Sequence, residues 1–168
     1  GQSPDLDRIY DIAKKYGIIL IEDCRSSLGA TYNGKKVGNL RADMTIFSTN
    51  PSNSKYAISR SGIIVTNNED IAARAKLLRT HALTTTYDSY GNLDYVYDVV
   101  DIGHKYDLSE LDAAYALAQL NKTEKFIKRR KEIAKLYEKR LSDVKHITVL
   151  PHNDEHIFTQ FIIKVSRN

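Results

Sequence analysis

Cysteine and long hydrophobic runs are scarce in this 168-residue sequence, and each scarcity excludes a class of protein. The single cysteine, Cys24, excludes an internal disulfide framework and is typical of a reducing compartment. No apolar run approaches the ~20 residues that a membrane-spanning helix requires. The first residues, GQSPDLDRI, lack the regions of a signal peptide. We therefore expect a cytoplasmic protein that does not associate with a membrane.

Neither charge sign is strongly depleted, and the net charge of +4 is unevenly distributed. Hydrophobic residues at 42% and charged residues at 27% predict a folded globular chain. Residues 122–140 hold nine basic and three acidic residues, a stripe that a nucleic-acid-binding protein would exploit. Phe126, Ile133 and Tyr137 recur there at helical spacing, without an aromatic-interleaved basic motif. We interpret the segment as an amphipathic helix with a solvated basic face and expect no nucleic-acid partner.

Helix and strand signals alternate along the first half of the chain. Ser3 as a cap and Pro4 at the first helical position predict a helix that stops at Gly17. The continuous apolar run Ile18–Ile21 predicts a strand covered on both faces, as in a parallel sheet. Two further strands are predicted at residues 44–47 and 63–65, with a tight turn at Asn33-Gly34 between the first two strands. This order indicates part of an open α/β sheet.

The second half is less regular. Asn68 predicts the start of a helix, and residues 84–106 show no clear period, which favours a long irregular excursion. A helix is expected after Ser109, then the basic helix, and finally strands at 147–149 and 157–165.

Two polar side chains close neighbouring apolar runs. Asp23 ends the first run and Ser48 ends the second. In open α/β sheets ligands bind beyond the carboxyl ends of parallel strands, where a carboxylate can hold a cationic ring nitrogen and a hydroxyl can hold a phosphate oxygen. Asp and Ser also end strands simply to start a turn, and the spacing alone leaves both interpretations open.

Several ordered blocks of sequence resemble one family. The sequence is similar to sugar aminotransferases of the DegT/DnrJ/StrS type, which depend on pyridoxal 5'-phosphate (PLP), in these blocks: Ile21–Cys24, Leu28–Gly38, Ile46–Ser48 followed by Pro51, Gly62–Asn67, Leu108–Leu111 and Ala118–Leu120. The resemblance implies an α/β fold, namely part of the large domain of a fold-type-I transferase together with the start of the small C-terminal domain. Residues 1–121 would be the C-terminal part of the PLP-binding domain. Residues 122–168 would be the connecting basic helix and the beginning of the small domain.

The resemblance also implies a reaction and its partners. Members of that family transfer an amino group from glutamate to a nucleotide-linked keto sugar, in amino-deoxysugar and surface-polysaccharide biosynthesis. They are dimers whose interface builds both active sites, so a homodimer or larger self-association is expected. Compared with a complete member, we expect this chain to be shorter at both ends.

Four positions carry the cofactor contacts that the resemblance implies. Asp23 stands where the family's acid pairs with the pyridine nitrogen, and Ser48 where its serine binds the phosphate. Ser26 stands where the family has Gln, His or Glu against the ring. Lys105 replaces an asparagine that reaches the cofactor phosphate of the partner subunit.

The most important departure is at the position of the lysine that forms the internal aldimine. Five residues after Ser48 this chain has Asn53, whose amide cannot form a Schiff base. Lys55 is a poor substitute because a shift of two residues moves the amine by several ångströms, against a tolerance of about 0.5 Å for a catalytic group. We therefore expect impaired or absent transamination.

Two alternatives remain open. One is a lysine-less sugar dehydratase-like enzyme that holds PLP or its pyridoxamine form noncovalently, although relatives of that kind carry a histidine where this chain has Asn53. The other is a non-catalytic binding or partner subunit. No metal site is expected, because no Cys/His cluster has zinc spacing and His152 and His156 lie in a loop-like stretch around Pro151.

Overall fold

A computed structural model of the chain describes residues 2–49, 61–87 and 93–166. The helices and strands follow one another as α1 (Leu6–Tyr16), β1 (Ile21–Asp23), β2 (Thr31–Tyr32), β3 (Lys35–Lys36), β4 (Met44–Ser48), β5 (Gly62–Val65), α2 (Glu69–Arg79), β6 (Leu83–Tyr87), β7 (Leu93–Val99), α3 (Glu110–Leu120), α4 (Thr123–Leu141), β8 (Ile147–Val149) and β9 (Ile163–Val165). The chain forms two compact units. One comprises Gly1–Val65 and Leu111–Asn168, and the other comprises Thr66–Glu110.

Helix α1 begins at a different residue from the one that the sequence predicts. Asp5, not Ser3, is the N-cap, and its carboxylate accepts a hydrogen bond from the backbone N–H of Arg8 at 3.2 Å. Pro4 consequently lies before the helix rather than at its first position. Gly17 ends the helix in the left-handed conformation, as predicted. Leu6, Tyr10 and Ala13 form the buried stripe.

The central sheet of the first unit has the strand order β1-β4-β5. Strands β1 and β4 are parallel, as the sequence predicts, with Asp23 opposite Ile46. Strand β5 pairs antiparallel with β4, and Gly62 lies opposite Ser48. The predicted burial of the first apolar run on both faces is wrong for the described chain, because Ile18, Ile19 and Ile21 are 56%, 70% and 53% exposed. Only the last residue of the run belongs to the strand, which covers Ile21–Asp23.

A tight hairpin joins β2 to β3, as Asn33-Gly34 predicts. Both turn residues have positive φ, 50° at Asn33 and 76° at Gly34, which is the conformation that a two-residue hairpin loop requires.

The core of the first unit links the sheet to the end of the chain. It consists of Cys24, Ala30, Val37, Phe47 and Ile157. Ile157 does not belong to a strand. The predicted strand 157–165 is confirmed only for Ile163–Val165, which pairs antiparallel with β8. The basic segment forms helix α4, as predicted, and its buried residues are Thr123 and Ala134. Of the predicted apolar stripe, however, Ile133 and Tyr137 are 37% and 50% exposed.

The second unit contains the element that the sequence analysis missed. Asn68 caps α2 as predicted, accepting from the backbone N–H groups of Asp70 and Ile71 at 2.9 and 3.2 Å. The stretch predicted to be irregular instead contains the antiparallel pair β6–β7, with Leu83 opposite Val99 and Thr84 opposite Asp98.

Candidate functional site

Strand β1 sends two adjacent carboxylates to opposite faces of the sheet. Glu22 is buried, and its carboxylate accepts hydrogen bonds from the hydroxyls of Tyr10 and Thr45, the latter at 3.2 Å. Burial, together with the hydrogen bond to Glu22, raises the pKa of the Tyr10 hydroxyl. The next side chain, Asp23, lies on the other face and is about half exposed. Glu22 therefore anchors the strand while Asp23 remains accessible to a ligand.

Asp23 is held by Arg25, two residues further along the chain. Nε of Arg25 donates to both carboxylate oxygens of Asp23 at 2.8 and 2.9 Å, and a terminal guanidinium nitrogen lies 2.7 Å from Oδ2. The backbone N–H of Arg25 donates to Oδ1 at 3.2 Å. The hydrogen bond from the guanidinium is the main reason that the pKa of the Asp23 carboxyl lies below its usual value of 3.8. Asp23 is consequently an anion at neutral pH, as a partner for a cationic ring nitrogen must be.

Arg25 is not among the residues that the sequence predicts for the site. The available signal was a pair of opposite charges two residues apart, directly after a strand. Two such residues can form an ion pair when the chain turns after the strand, and Asp23 and Arg25 do so here.

Ser48 lies at the same edge of the sheet as Asp23. Because β1 and β4 are parallel and Asp23 is opposite Ile46, Ser48 stands two residues further toward the carboxyl end. The two-residue period of a strand places Ser48 on the same face as Ile46, and hence on the face of Asp23. Ser48 is buried, and its neighbour Thr49 donates to the carbonyl of Ser61 at 3.0 Å. The register thus places Asp23 and Ser48 at one edge and on one face of the sheet.

Ser26 belongs to the turn that follows β1. It is exposed, and its carbonyl accepts a hydrogen bond from the hydroxyl of Thr159 at 2.8 Å. A second turn bond runs from the Ser27 N–H to the Cys24 carbonyl at 2.9 Å. Ser26 is therefore three residues from Asp23, on a turn that two hydrogen bonds hold in place. The serine side chain is shorter than the Gln, His or Glu of the family and extends less far from the backbone.

Cys24 is a core residue. It is 8% exposed, and burial raises the pKa of its thiol to about 11. A thiol with this pKa is protonated at neutral pH, so Cys24 is not a nucleophile.

Lys105 lies in the second unit on a segment that is fixed to the end of α2. It pairs with Thr80 in an isolated antiparallel bridge, and the Tyr106 N–H donates to the Arg79 carbonyl at 3.0 Å. The Lys105 side chain is exposed. Its predicted contact with a partner subunit's phosphate remains a prediction.

Asn53 and Lys55 lie outside the residues that the structure describes. Their interpretation rests on the sequence alone.

Two kinds of site are absent from the described ranges, namely a metal-binding cluster and a membrane-spanning helix. No group of three or more His, Cys, Asp or Glu residues within 2–49, 61–87 and 93–166 is placed to hold a metal ion. His152 and His156 lie in a loop, and Nε2 of His152 contacts Oε1 of Glu138 at 2.5 Å. Within these same ranges, the structure has no helix of the length and apolar character that membrane crossing demands.

The described residues fit the PLP site of the resemblance only in part. The carboxylate at Asp23 and the hydroxyl at Ser48 have the right chemistry at the right edge of the sheet. However, Arg25 forms an ion pair with Asp23, and a nearby positive charge disfavours the cationic form of a ring nitrogen. The described residues thus match the PLP site of the resemblance in residue type at Asp23 and Ser48, and differ from it in the ion pair that Asp23 makes with Arg25.

Comparisons with known proteins identify the family to which the chain is similar. The model of the DegT/DnrJ/EryC1/StrS aminotransferase family matches residues 1–168. A UDP-4-amino-4,6-dideoxy-N-acetyl-beta-L-altrosamine transaminase of Campylobacter jejuni is 36% identical over 141 residues, which cover 83% of this chain and 35% of the relative. A GDP-perosamine synthase of Caulobacter vibrioides is 30% identical over 168 residues, which cover 98% of this chain and 43% of the relative.

Solved structures give the same result for the fold. The aminotransferase PseC of Helicobacter pylori, which is involved in pseudoaminic acid biosynthesis, superposes with a TM-score of 0.87 at 25% identity, covering 98% of this chain and 43% of PseC. The aminotransferase TlmJ of Streptoalloteichus hindustanus superposes with a TM-score of 0.85 at 21% identity, covering 99% of this chain and 43% of TlmJ. The chain therefore spans less than half the length of these relatives.

Proposed function

The chain belongs to the DegT/DnrJ/EryC1/StrS aminotransferase family, and we propose that it is part of a sugar aminotransferase-like protein whose own transaminase activity is impaired or absent. The single observation that carries the second half of this proposal is Asn53, which stands five residues after Ser48. In the family reaction the lysine at this place is both the covalent anchor and the group that moves the proton. An amide side chain has no basic amine for either task.

Asp23 and Ser48 are the cofactor contacts that we propose for this chain. Bound PLP supplies an electron sink for the substrate's amino carbon. Asp23 would face the ring nitrogen and Ser48 the phosphate, since both lie on one face at one edge of the sheet. Ser26 would lie beside the ring, on the turn that starts at Cys24. Lys105 would act as a point charge toward the phosphate of a partner subunit.

The proposed substrate class is a nucleotide-linked keto sugar, with glutamate as amino donor. This proposal is supported by the names of the relatives, which are transaminases and synthases of UDP- or GDP-linked amino sugars. The identity of the sugar is not part of the proposal.

Self-association is a further part of the proposal, and exposed apolar side chains support it. Leu111 and Leu117 on α3 are 84% and 60% exposed, and Ile19 before β1 is 70% exposed. Large apolar side chains at such exposure are typical of surfaces that another protein surface covers. A second copy of the chain is the proposed partner, as in a homodimer.

A coupled turnover assay tests the proposed function. The chain is incubated with PLP, glutamate and a UDP- or GDP-linked 4-keto-6-deoxy sugar, and amino sugar formation is followed by mass spectrometry. We expect no product above the rate of free PLP in the same buffer. Amino sugar formation well above that background, abolished by Lys55→Ala, would contradict the proposal. Dehydration of the keto sugar with pyridoxamine 5'-phosphate would instead favour the dehydratase-like alternative.

A further inference from the structure

Asp23 and Arg25, which lie two residues apart, form an ion pair in which both carboxylate oxygens contact the guanidinium. Three guanidinium contacts of 2.7–2.9 Å join Arg25 to the two oxygens of Asp23. Bidentate contacts of this kind are the strongest and most specific form of carboxylate recognition by a side chain. Because the two residues are only two positions apart, little loop entropy is lost when they close.

The pair changes the electrostatics at the place where a ring nitrogen would lie. An anion within a few ångströms favours the protonated, cationic form of a nitrogen base, and a cation disfavours it. Asp23 alone would favour the protonated, cationic form of the ring nitrogen. Arg25 adds an equal and opposite charge at contact distance, so the pair as a whole is neutral.

We infer that Arg25 competes with a pyridine ring nitrogen for Asp23, so that this chain holds a pyridine ring more weakly than it would without Arg25. The inference rests on the proposed placement of Asp23 at the cofactor ring. It assigns a function to a residue that none of the family blocks includes. Asn53 removes the lysine that would bind the cofactor covalently, and Arg25 weakens the noncovalent contact of Asp23 with the cofactor ring.

Pyridoxamine 5'-phosphate is the appropriate probe because it has no aldehyde and cannot react with surface lysines. Its affinity is measured by isothermal titration calorimetry for the wild-type chain and for Arg25→Ala. The same titrations are repeated with the 1-deaza analogue, in which a carbon replaces the ring nitrogen. The analogue keeps the phosphate, so the comparison cancels the effect of the lost Arg25 charge on phosphate binding.

We expect Arg25→Ala to bind pyridoxamine 5'-phosphate about fivefold more tightly than wild type, as for release of an exposed ion pair. The gain should be absent with the 1-deaza analogue and should disappear in the Asp23→Asn/Arg25→Ala double variant. Arg129→Ala is the matched control, since it removes an exposed arginine that is paired with Glu132 at 2.9 Å on α4. This control should leave the affinity unchanged.

Each other outcome is decisive. Equal or weaker binding of pyridoxamine 5'-phosphate by Arg25→Ala, with measurable binding by wild type, overturns the inference and leaves the proposed function intact. An equal gain with both probes also overturns it, because the effect would not act at the ring nitrogen. If no variant binds either probe, the cofactor contacts of the proposed function are overturned together with the inference. Conversely, amino sugar turnover by the wild type would contradict the proposed loss of activity without affecting the Arg25 inference.

Discussion

The hydroxyl of Tyr10 donates a hydrogen bond to the carboxylate of Glu22, and both residues are buried at the contact of α1 with β1. This bond connects the first helix to the strand that carries Asp23. Glu22 has a second donor in Thr45 on β4, so its carboxylate ties three elements together. The position of Asp23 at the edge of the sheet consequently depends on a buried polar cluster on the opposite face.

Removing the Tyr10 hydroxyl should destabilise the first unit. In Tyr10→Phe the buried Glu22 carboxylate loses one of its donors, and an under-satisfied buried acceptor costs about 1–3 kcal/mol. We expect the free energy of unfolding to fall by that amount in urea denaturation followed by circular dichroism. Tyr16→Phe is the control, because Tyr16 lies on the same helix but is 64% exposed. If the two variants were equally stable, the buried hydrogen bond would not contribute as described.

Gly103 should tolerate no side chain. A Cβ atom there would lie 2.2 Å from the backbone nitrogen of Ala82, which cannot move aside as a flexible side-chain end can. We expect Gly103→Ala to destabilise the second unit by about 1–3 kcal/mol, as for overpacking. The measurement is amide hydrogen exchange at His81 and His104, whose N–H groups bond across this contact, to the carbonyls of His104 and Leu78.

Gly62→Ala is the matched control for Gly103. Its nearest neighbour would be the Phe47 carbonyl at 3.7 Å, an ordinary van der Waals contact. Exchange at His81 and His104 should accelerate in Gly103→Ala and not in Gly62→Ala. Unchanged exchange in both variants would contradict the close backbone approach.

Acid should weaken the loop around His156. Burial is the main reason that the pKa of His156 lies below its ordinary value of 6.5, with smaller effects from the nearby positive charges of His152 and Lys131. Nδ1 of His156 accepts a hydrogen bond from the Phe158 N–H at 3.0 Å and must be unprotonated to do so. The unfolded chain therefore binds a proton near pH 6.5 that the folded chain does not, and folding stability should fall as the pH drops below 6.5.

The loop prediction is tested by urea midpoints between pH 7.5 and 5. His156→Gln, whose side chain does not titrate, should show a smaller loss of stability in this range than wild type. Parallel pH profiles for the two proteins would mean that His156 titrates as it does in the unfolded chain.

Local chemistry predicted those parts of the fold that depend on neighbouring residues. The Asn33-Gly34 turn and the Asn68 cap both form because their side chains or dihedral freedom satisfy a local requirement. The start of α1 was misplaced because Ser3 and Asp5 are both good caps. With Asp5 as the cap, Asp5 and Asp7 contact the hydroxyl of Tyr32, and Asp7 also pairs with Arg41. These partners are distant in the sequence, so the residues around the helix start do not reveal them.

The pairing of strands that are distant in the sequence could not be predicted from residue patterns. The β6–β7 pair has Thr, Tyr and Asp without strict alternation, so no period marked it, and only the partner strand defines it. Ile157 was assigned to a strand because it is apolar, yet it fills the core beside Cys24 and Phe47 without a strand. At the site, the edge position of Asp23 and Ser48 followed from the strand order. The sequence does not reveal that Arg25 contacts Asp23, because the contact depends on the conformation of the turn after β1.

The measurement that tests the central claim most directly is borohydride reduction of the chain after addition of PLP, followed by peptide mass mapping. Asn53→Lys serves as the positive control, because it restores the amine at the aldimine position. We predict a reduced pyridoxyl adduct on residue 53 of the variant and no specific adduct on the wild-type chain. A stoichiometric adduct on Lys55 of the wild type would contradict the account.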